Sequence, residues 1–281
     1  PHRRAKVSAV TKSIRFTLLS LRDLLVSAGP FLALAVVLLA MAYWWLNPNP
    51  PKRVTLATGP EQSAYEAFGK QYATLLAKDG ITVTLIPSEG SADNLRLLRE
   101  GKADLGFVQG GTRESDGPAD EDLESLGSLF LEPVWLFYRE AAAPAKTTPP
   151  HTLESLTQLQ GLRVNVGTPG SGVPSLMRKL LESNRVAMDQ VTLSQLEQTP
   201  ATVAFLGGEL DAIVFASAPE SLMVQMLLQT PGVKLMDFAQ AEAYSRRFAF
   251  LSPALLPRGV VDLASDIPPQ NVRLVAPTTT L

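Results

Sequence analysis

Two short loops in this chain combine glycines with hydroxyls in a way that could hold a small anion. Pro87-Ser88-Glu89-Gly90-Ser91 and Gly167-Thr168-Pro169-Gly170-Ser171-Gly172 each open a segment with helical spacing. A helix N-terminus presents unpaired N–H groups and about half a positive charge, which suits a carboxylate or phosphate. Hydroxyls at Ser91, Thr168 and Ser171 would add donors. Plain capping and turn-making explain the same residues equally well, so both roles stay open on composition alone. The loops Thr58-Gly59-Pro60-Glu61-Gln62-Ser63-Ala64-Tyr65 and Gln109-Gly110-Gly111 have a similar character.

Other chemistries find less support. The order G-x-x-G-x-G at residues 167–172 lacks the Lys-Ser/Thr of a nucleotide P-loop and is not the dinucleotide fingerprint. No G-x-S-x-G elbow is present. The absence of cysteine excludes disulfides, thiolate metal sites, a Cys nucleophile and a lipidated-Cys anchor. Of the two histidines, His2 and His151, the second sits in a Pro-rich connector and reads as a solvated loop residue. Glu114, Asp116, Asp120, Glu121, Asp122 and Glu124 form a charge run, which reads as a solvated face. No catalytic residue, metal site or cofactor is expected.

The loops must be carried by regular elements, and the chain offers two sets. Arg53 to Thr58 is β-rich. Tyr65, Phe68, Tyr72, Leu75 and Leu76 recur at helical spacing until Gly80. Ile81 to Ile86 is a second strand. Ser91 reads as the N-cap of a helix with Asp93 in its first turn and Gly101 as its stop. Ala103 to Val108 is a third strand. The order β-α-β-α-β predicts a parallel sheet. Leu126 to Tyr138 reads as extended, with Val134, Leu136 and Tyr138 alternating against Trp135 and Phe137.

The pattern then restarts. Leu162 to Val166 is a strand, followed by a helix with Pro174 in its first turn. Val191 to Leu193 is a short strand. Thr199-Pro200 reads as N-cap and first residue of a helix that Gly207-Gly208 stops, and Ala212 to Phe215 is the next strand. Gly101 precedes Asp104 and Gly208 precedes Asp211 by the same three positions, each Asp opening an apolar run. Both aspartates fall at the amino ends of strands and read as structural. Two similar α/β lobes with a cleft between them is the reading, and ligands of open α/β sheets bind beyond the carboxyl ends of the strands.

The N-terminal segment is of another kind. From Leu24 to Leu46 no residue is charged, and at ~1.5 Å per residue the run matches a ~30 Å hydrocarbon core. Arg3, Arg4, Lys6, Lys12, Arg15 and Arg22 precede it with a single acid, Asp23, so the positive-inside rule puts residues 1–23 in the cytoplasm. Tyr43, Trp44 and Trp45 suit the interface. Ala40-Met41-Ala42 has the form of a signal-peptidase site, but the apolar run exceeds a ~7–15 residue signal core and continues through Trp45, which favours a retained single-pass anchor in the inner membrane. Asn47-Pro48-Asn49-Pro50-Pro51 is a stiff spacer within a linker over residues 47–53. The remainder is mildly acidic, which argues against nucleic acid as a partner.

Three blocks, TGPEQSAYEAFGKQYATLL, SEGSADNLRLLREGKADLGFVQGG and LESLTQLQGLRVNVGTPGSG, resemble the TAXI family of extracytoplasmic solute receptors associated with TRAP transporters. The resemblance runs over about residues 53–277 and is strongest from Gly90 to Gly106. It implies the two-lobed α/β fold of type II periplasmic binding proteins, with lobe 1 at 54–140, a connector and lobe 2 at 141–275, and a return to lobe 1 beginning at 276–281. It implies capture of a small organic acid or amino acid, an anionic or zwitterionic ligand, by lobes that close on a hinge. Carried over by position, the ligand-binding residues are Gly59, Ser63, Tyr65, Ser88, Ser91, Asn94, Gln109, Thr168, Gly170, Ser171 and Gly172. The first loop departs from the family, with Gln62-Ser63-Ala64-Tyr65-Glu66 where paired glycines and two tyrosines are usual. Further residues beyond Leu281 are expected. A membrane-anchored, non-enzymatic receptor with a periplasmic body and transporter membrane subunits as partners is the resulting expectation. A membrane-tethered sensor or scaffold with a degenerate pocket is the alternative, and an enzyme of the same fold fits poorly with so little His and no Cys.

Overall fold

The structure, a computed structural model, describes residues 26–46, 51–61, 63–112, 122–143 and 152–281. The basic arm, residues 47–50 of the linker, Gln62, His151 and Glu114, Asp116, Asp120 and Glu121 lie outside the described residues. Asp122 and Glu124 are exposed, as a solvated run should be. The chain divides into two compact units, residues 1–51 and 52–281.

In the first unit, the most apolar 18-residue stretch of helix α1 (Val26–Leu46) has a mean hydropathy of 2.1 and none of that stretch is buried. Its 21 residues reach about 31 Å, the thickness of a hydrocarbon core. Apolar side chains cover every face, unlike the one-sided stripe of a helix that packs on a soluble core. The helix is therefore long and apolar enough to cross a membrane.

The second unit is mixed α/β, as expected. Its first half runs β1 (Arg53–Ala57), α2 (Ala64–Ala77), β2 (Thr82–Ile86), α3 (Ser91–Arg99), β3 (Leu105–Gly106), β4 (Val108–Gln109) and β5 (Ser128–Leu131). It continues with β6 (Val134–Arg139), β7 (Arg163–Asn165), α4 (Val173–Ser183), β8 (Thr192–Ser194), α5 (Gln198–Leu206) and β9 (Ala212–Ala216). The last part is α6 (Leu222–Gln229), β10 (Val233–Leu235), α7 (Ala241–Arg247), β11 (Leu251–Leu256) and β12 (Val272–Thr280).

The internal repeat is visible in the pairing. Strands β2-β1-β3 form a parallel sheet, and β8-β7-β9 are parallel in the same second-first-third order. β6 pairs antiparallel with β9 and with β10, making a five-stranded sheet. β12 pairs antiparallel with β11 along its first part and with β4 and β5 near its end.

Four details differ from the sequence reading. The extended run from Leu126 is broken at Glu132-Pro133, and β6 joins the sheet of the second half although the reading kept it with the first half to residue 140. Its residues Val134 to Tyr138 are all buried, so the alternation marks two buried faces rather than one wet face, as suits a central strand. The third strand is interrupted at Phe107 and resumes through Gln109. Gly90, not Ser91, is the N-cap of α3, because the Ser91 hydroxyl is drawn inward to other partners. α5 begins at Gln198 after Glu197, not at Pro200; Pro200 is tolerated there because the first-turn N–H groups have no helical acceptor.

The main core joins β6, β7, β9 and α4 with β11 and β12 around Trp135, Phe137, Leu176, Phe205 and Val275. The first half has smaller clusters, one around Leu56, Tyr65 and Phe107, with Phe68 and Tyr72 of α2 packed onto it.

Candidate functional site

The expected ligand loops lie beyond the carboxyl ends of β1, β2, β4 and β7, where the parallel order places them. What each residue does there differs.

Three of the candidates build the scaffold of the first half. Asn94, on the inward face of α3, has no solvent exposure. Its amide donates to the carbonyls of Thr58 and of Phe107 (2.8 Å to the latter), so it ties the ends of β1 and β3 together. Ser88 Oγ donates to Asn94 Oδ1 at 2.6 Å and accepts from the Gly90 N–H at 3.1 Å. Ser63 caps α2, its Oγ accepting from the Glu66 N–H at 3.2 Å, with Gly59 packed beside it.

Tyr65 points into the protein. Its hydroxyl donates to Glu132 Oε2 at 2.6 Å and lies 3.0 Å from Ser91 Oγ. Burial, then the nearby Glu132 charge, hold the phenol well above its ordinary pKa. Ser91 Oγ in turn accepts the Gln109 N–H at 2.9 Å. Thr279 Oγ1 also donates to Glu132, at 2.6 Å.

The two Gly-Ser loops touch one another. The Gly170 carbonyl accepts from the N–H groups of Ala92 and Asp93, both at 3.0 Å, and the Gly170 N–H donates to Glu89 Oε2 at 3.1 Å. One peptide unit of the second half therefore occupies the N-terminus of α3 that the sequence offered to an anion. The contact is close: a Cβ on Gly170 would lie 2.4 Å from Glu89 Cβ. Ser171 Oγ donates within its own loop to the Thr168 carbonyl at 2.9 Å. Thr168 is half-buried in the same turn.

Gln109 and Gly172 meet at the start of α4, where Gly172 is the N-cap. A Cβ on Gly172 would lie 2.8 Å from Gln109 Oε1 and 2.7 Å from Thr112 Oγ1. Gln109 is only 3% exposed, and its Nε2 has no hydrogen-bond partner, unlike every other buried side-chain nitrogen and oxygen among the described residues. An orphaned buried donor costs about 1–3 kcal/mol, so a group able to accept from it would be stabilised there.

Of the eleven residues, Ser88 and Asn94 form one hydrogen-bonded pair, Tyr65 and Ser91 another, and Gln109, Gly170 and Gly172 lie at the contact between halves. Sequence reasoning missed Glu89, Thr112, Glu132 and Thr279. Glu89 lies inside the Pro87–Ser91 loop, and its carboxylate beside a helix start is the signal that could have found it. Thr279 had none, since its partner is 147 positions away. A hollow of about 560 Å³ lies elsewhere, lined by Arg139, Ala141, Phe205, Leu206, Thr230 and Val233; no candidate residue lines it. Among the described residues no cluster of three His, Cys, Asp or Glu could hold a metal ion.

Solved structures similar to this chain include the alkanesulfonate-binding protein SsuA from Xanthomonas axonopodis pv. citri bound to MOPS. It is 17% identical with a TM-score of 0.49, over 72% of this chain and 69% of that one. The periplasmic aliphatic sulphonate binding protein SsuA from Escherichia coli is 16% identical with a TM-score of 0.46, over 70% of this chain and 68% of that one. The family is established by sequence: residues 56–272 match the model of the NMT1-like family, and the chain belongs to it.

Proposed function

We propose that this protein is a membrane-anchored, extracytoplasmic solute-binding receptor. It captures a small organic acid or amino acid between two lobes and delivers it to a transporter of the TRAP type. The observation that carries the reading is the orphaned Gln109 amide, buried beside the N-terminus of α4 where residues from both halves of the unit meet. An acceptor atom of a carboxylate or carboxamide would relieve it, and the first turn of α4 would add N–H groups. The resemblance to solute receptors and the membership of the NMT1-like family support binding rather than catalysis. α1, with six basic residues before it, supports a body outside the cytoplasm.

A second reading, a tethered sensor or scaffold, is favoured by one observation: the Gly170 peptide fills the N-terminus of α3. A site closed by the chain itself needs no solute to hold its halves together.

The test is a thermal-shift screen of the full-length protein in detergent against dicarboxylates, amino acids and other small acids. A ligand at 100 times its Kd adds about 2.7 kcal/mol of stability. A saturable shift that Ser171→Asp removes supports the receptor. No shift across the library with a folded protein overturns it and leaves the sensor reading.

A further inference from the structure

Among the described residues two carboxylates are buried, and they are treated differently. Asp211 faces two arginines. Glu132, 6% exposed, faces only hydroxyls. A buried carboxylate without a cation is costly, and the usual outcome is uptake of a proton.

The position of Glu132 gives that proton a consequence. Glu132-Pro133 is the segment through which the chain passes from β5 to β6, and so from one sheet to the other. The second link is β12, which packs in the main core at Leu274 and Val275 and pairs with β4 and β5 near its end; the Glu132 N–H donates to its Pro277 carbonyl at 3.0 Å while Thr279 of the same strand donates to the carboxyl. Both links therefore meet at one residue, Glu132. From it a chain of hydrogen bonds runs through Tyr65 to Ser91 and the Gln109 N–H.

That chain has a direction. With Glu132 ionised, Tyr65 spends its single proton on the carboxylate, so Ser91 must donate to Tyr65. With Glu132 protonated, the acid can donate and Tyr65 is free to donate to Ser91. The groups facing Glu132 are Tyr65 from α2, Ser91 from α3 behind it, and Thr279 from β12; none is cationic. Tyr65 stays protonated across the ordinary range, because burial and the Glu132 charge push it well up.

We propose that Glu132 is a proton-binding positioning residue: one proton reverses the Glu132–Tyr65–Ser91 chain where the β5–β6 segment meets β12, and makes the packing of the Gly90 and Gln109 loops depend on pH. Burial pushes the carboxyl up, and the hydroxyl donors of Thr279 and Tyr65 only partly oppose it. A consequence for solute capture rests on the receptor reading; the proton uptake does not.

The experiment is an infrared pH titration of the full-length protein in detergent, with amide hydrogen exchange of residues 90–94 and 109 alongside it. The expected result is a buried carboxylic-acid carbonyl band that titrates above the ordinary Glu value of about 4.3 and is absent in Glu132→Gln. Thr279→Val, which removes a donor to the anion, moves the midpoint up by about one pH unit. Exchange corrected for intrinsic rate changes with pH in the wild type and not in Glu132→Gln. A band that persists in Glu132→Gln, or a midpoint at the ordinary value, overturns the proposal. So does a pH response of exchange that is the same in both proteins. Should Glu132→Gln not fold, the direction of the Thr279→Val shift decides. No solute is present, so a failed ligand screen leaves this result standing.

Discussion

Asp211 grips Arg163 twice, accepting its peptide N–H at 2.9 Å and its guanidinium at 2.8 and 2.9 Å. The Asp211 N–H returns a bond to the Arg163 carbonyl at 2.8 Å. Asp104 does the same to Thr55 in the first half, accepting the N–H at 2.7 Å and the hydroxyl at 2.6 Å, with its own N–H on the Thr55 carbonyl at 3.0 Å. Each aspartate thus locks the third strand of its half to the first.

The Asp211 clasp is the stronger, because Arg139 joins it and the site is buried. The arginine bonds hold its carboxyl at about 2. A depressed carboxylate stabilises the fold above its unfolded pKa of about 3.9, and that contribution is lost as pH falls toward 2. Allowing for the half-exposed Arg163, Asp211→Asn should cost about 1–2 kcal/mol at pH 7. Urea denaturation against pH checks it: the variant should lose the part of the slope between pH 4 and 2 that the wild type shows. Asp104, being exposed, should matter less.

The sequence reading found this pair because Gly and Asp recur at equal spacing before apolar runs, and local patterns of that kind survive folding. It found the parallel order for the same reason. Leu75 shares the helical spacing of Tyr65, Phe68, Tyr72 and Leu76, yet the structure leaves it exposed, because a helix face is chosen by tertiary packing. It did not find Glu132 or Thr279, whose meaning exists only when β12 comes back against β5. Nor did it foresee Gly170 against α3, since a helix N-terminus looks equally ready for a solute or for another loop of the chain.

Asn94 should prove a structural residue. Asn94→Ala removes its amide bonds to the Thr58 and Phe107 carbonyls and its bond from Ser88, leaving only the Ser88 hydroxyl on Thr58, at about 2–4 kcal/mol. Asn94→Asp should cost more, since it sets carboxylate oxygen against two carbonyls. Thermal denaturation of both variants checks the order; an Asp variant as stable as wild type would refute the assignment.

The Gly170 contact gives a local prediction. Glu89→Ala removes the acceptor of the Gly170 N–H and should raise exchange at Gly170, Ala92 and Asp93 about fivefold, for a bond worth about 1 kcal/mol. Gly170→Ala should raise it further, because the new methyl collides with the Glu89 Cβ. Unchanged exchange in both would mean that the loops separate freely in solution.

For α1, the alternatives are retention and cleavage. A retained helix leaves the protein in the membrane pellet after alkaline extraction, with residues before Ala42 present by mass spectrometry. Leu34→Arg with Leu38→Arg should release it, each arginine costing about 2.5–3.5 kcal/mol at the helix centre. A mature N-terminus just after Ala42 would instead identify a signal peptide.

Gln109 separates binding from stability most cleanly. Without solute its Nε2 is buried and unpaired, so Gln109→Leu removes a penalty and should leave the protein as stable or up to about 1 kcal/mol more so. The backbone bonds of Gln109 to Ser91 Oγ and to Thr112 are untouched by the change. If a solute accepts from that amide, the same variant should lose most of the ligand-induced thermal shift. Gln109→Glu should lose it too and be less stable, because it buries a carboxylate beside Thr112 at a position only 3% exposed. Stability and binding would then move in opposite directions for Leu and together for Glu. A Leu variant that keeps the full shift would place the solute away from Gln109, and with it the whole contact between Gln109 and Gly172.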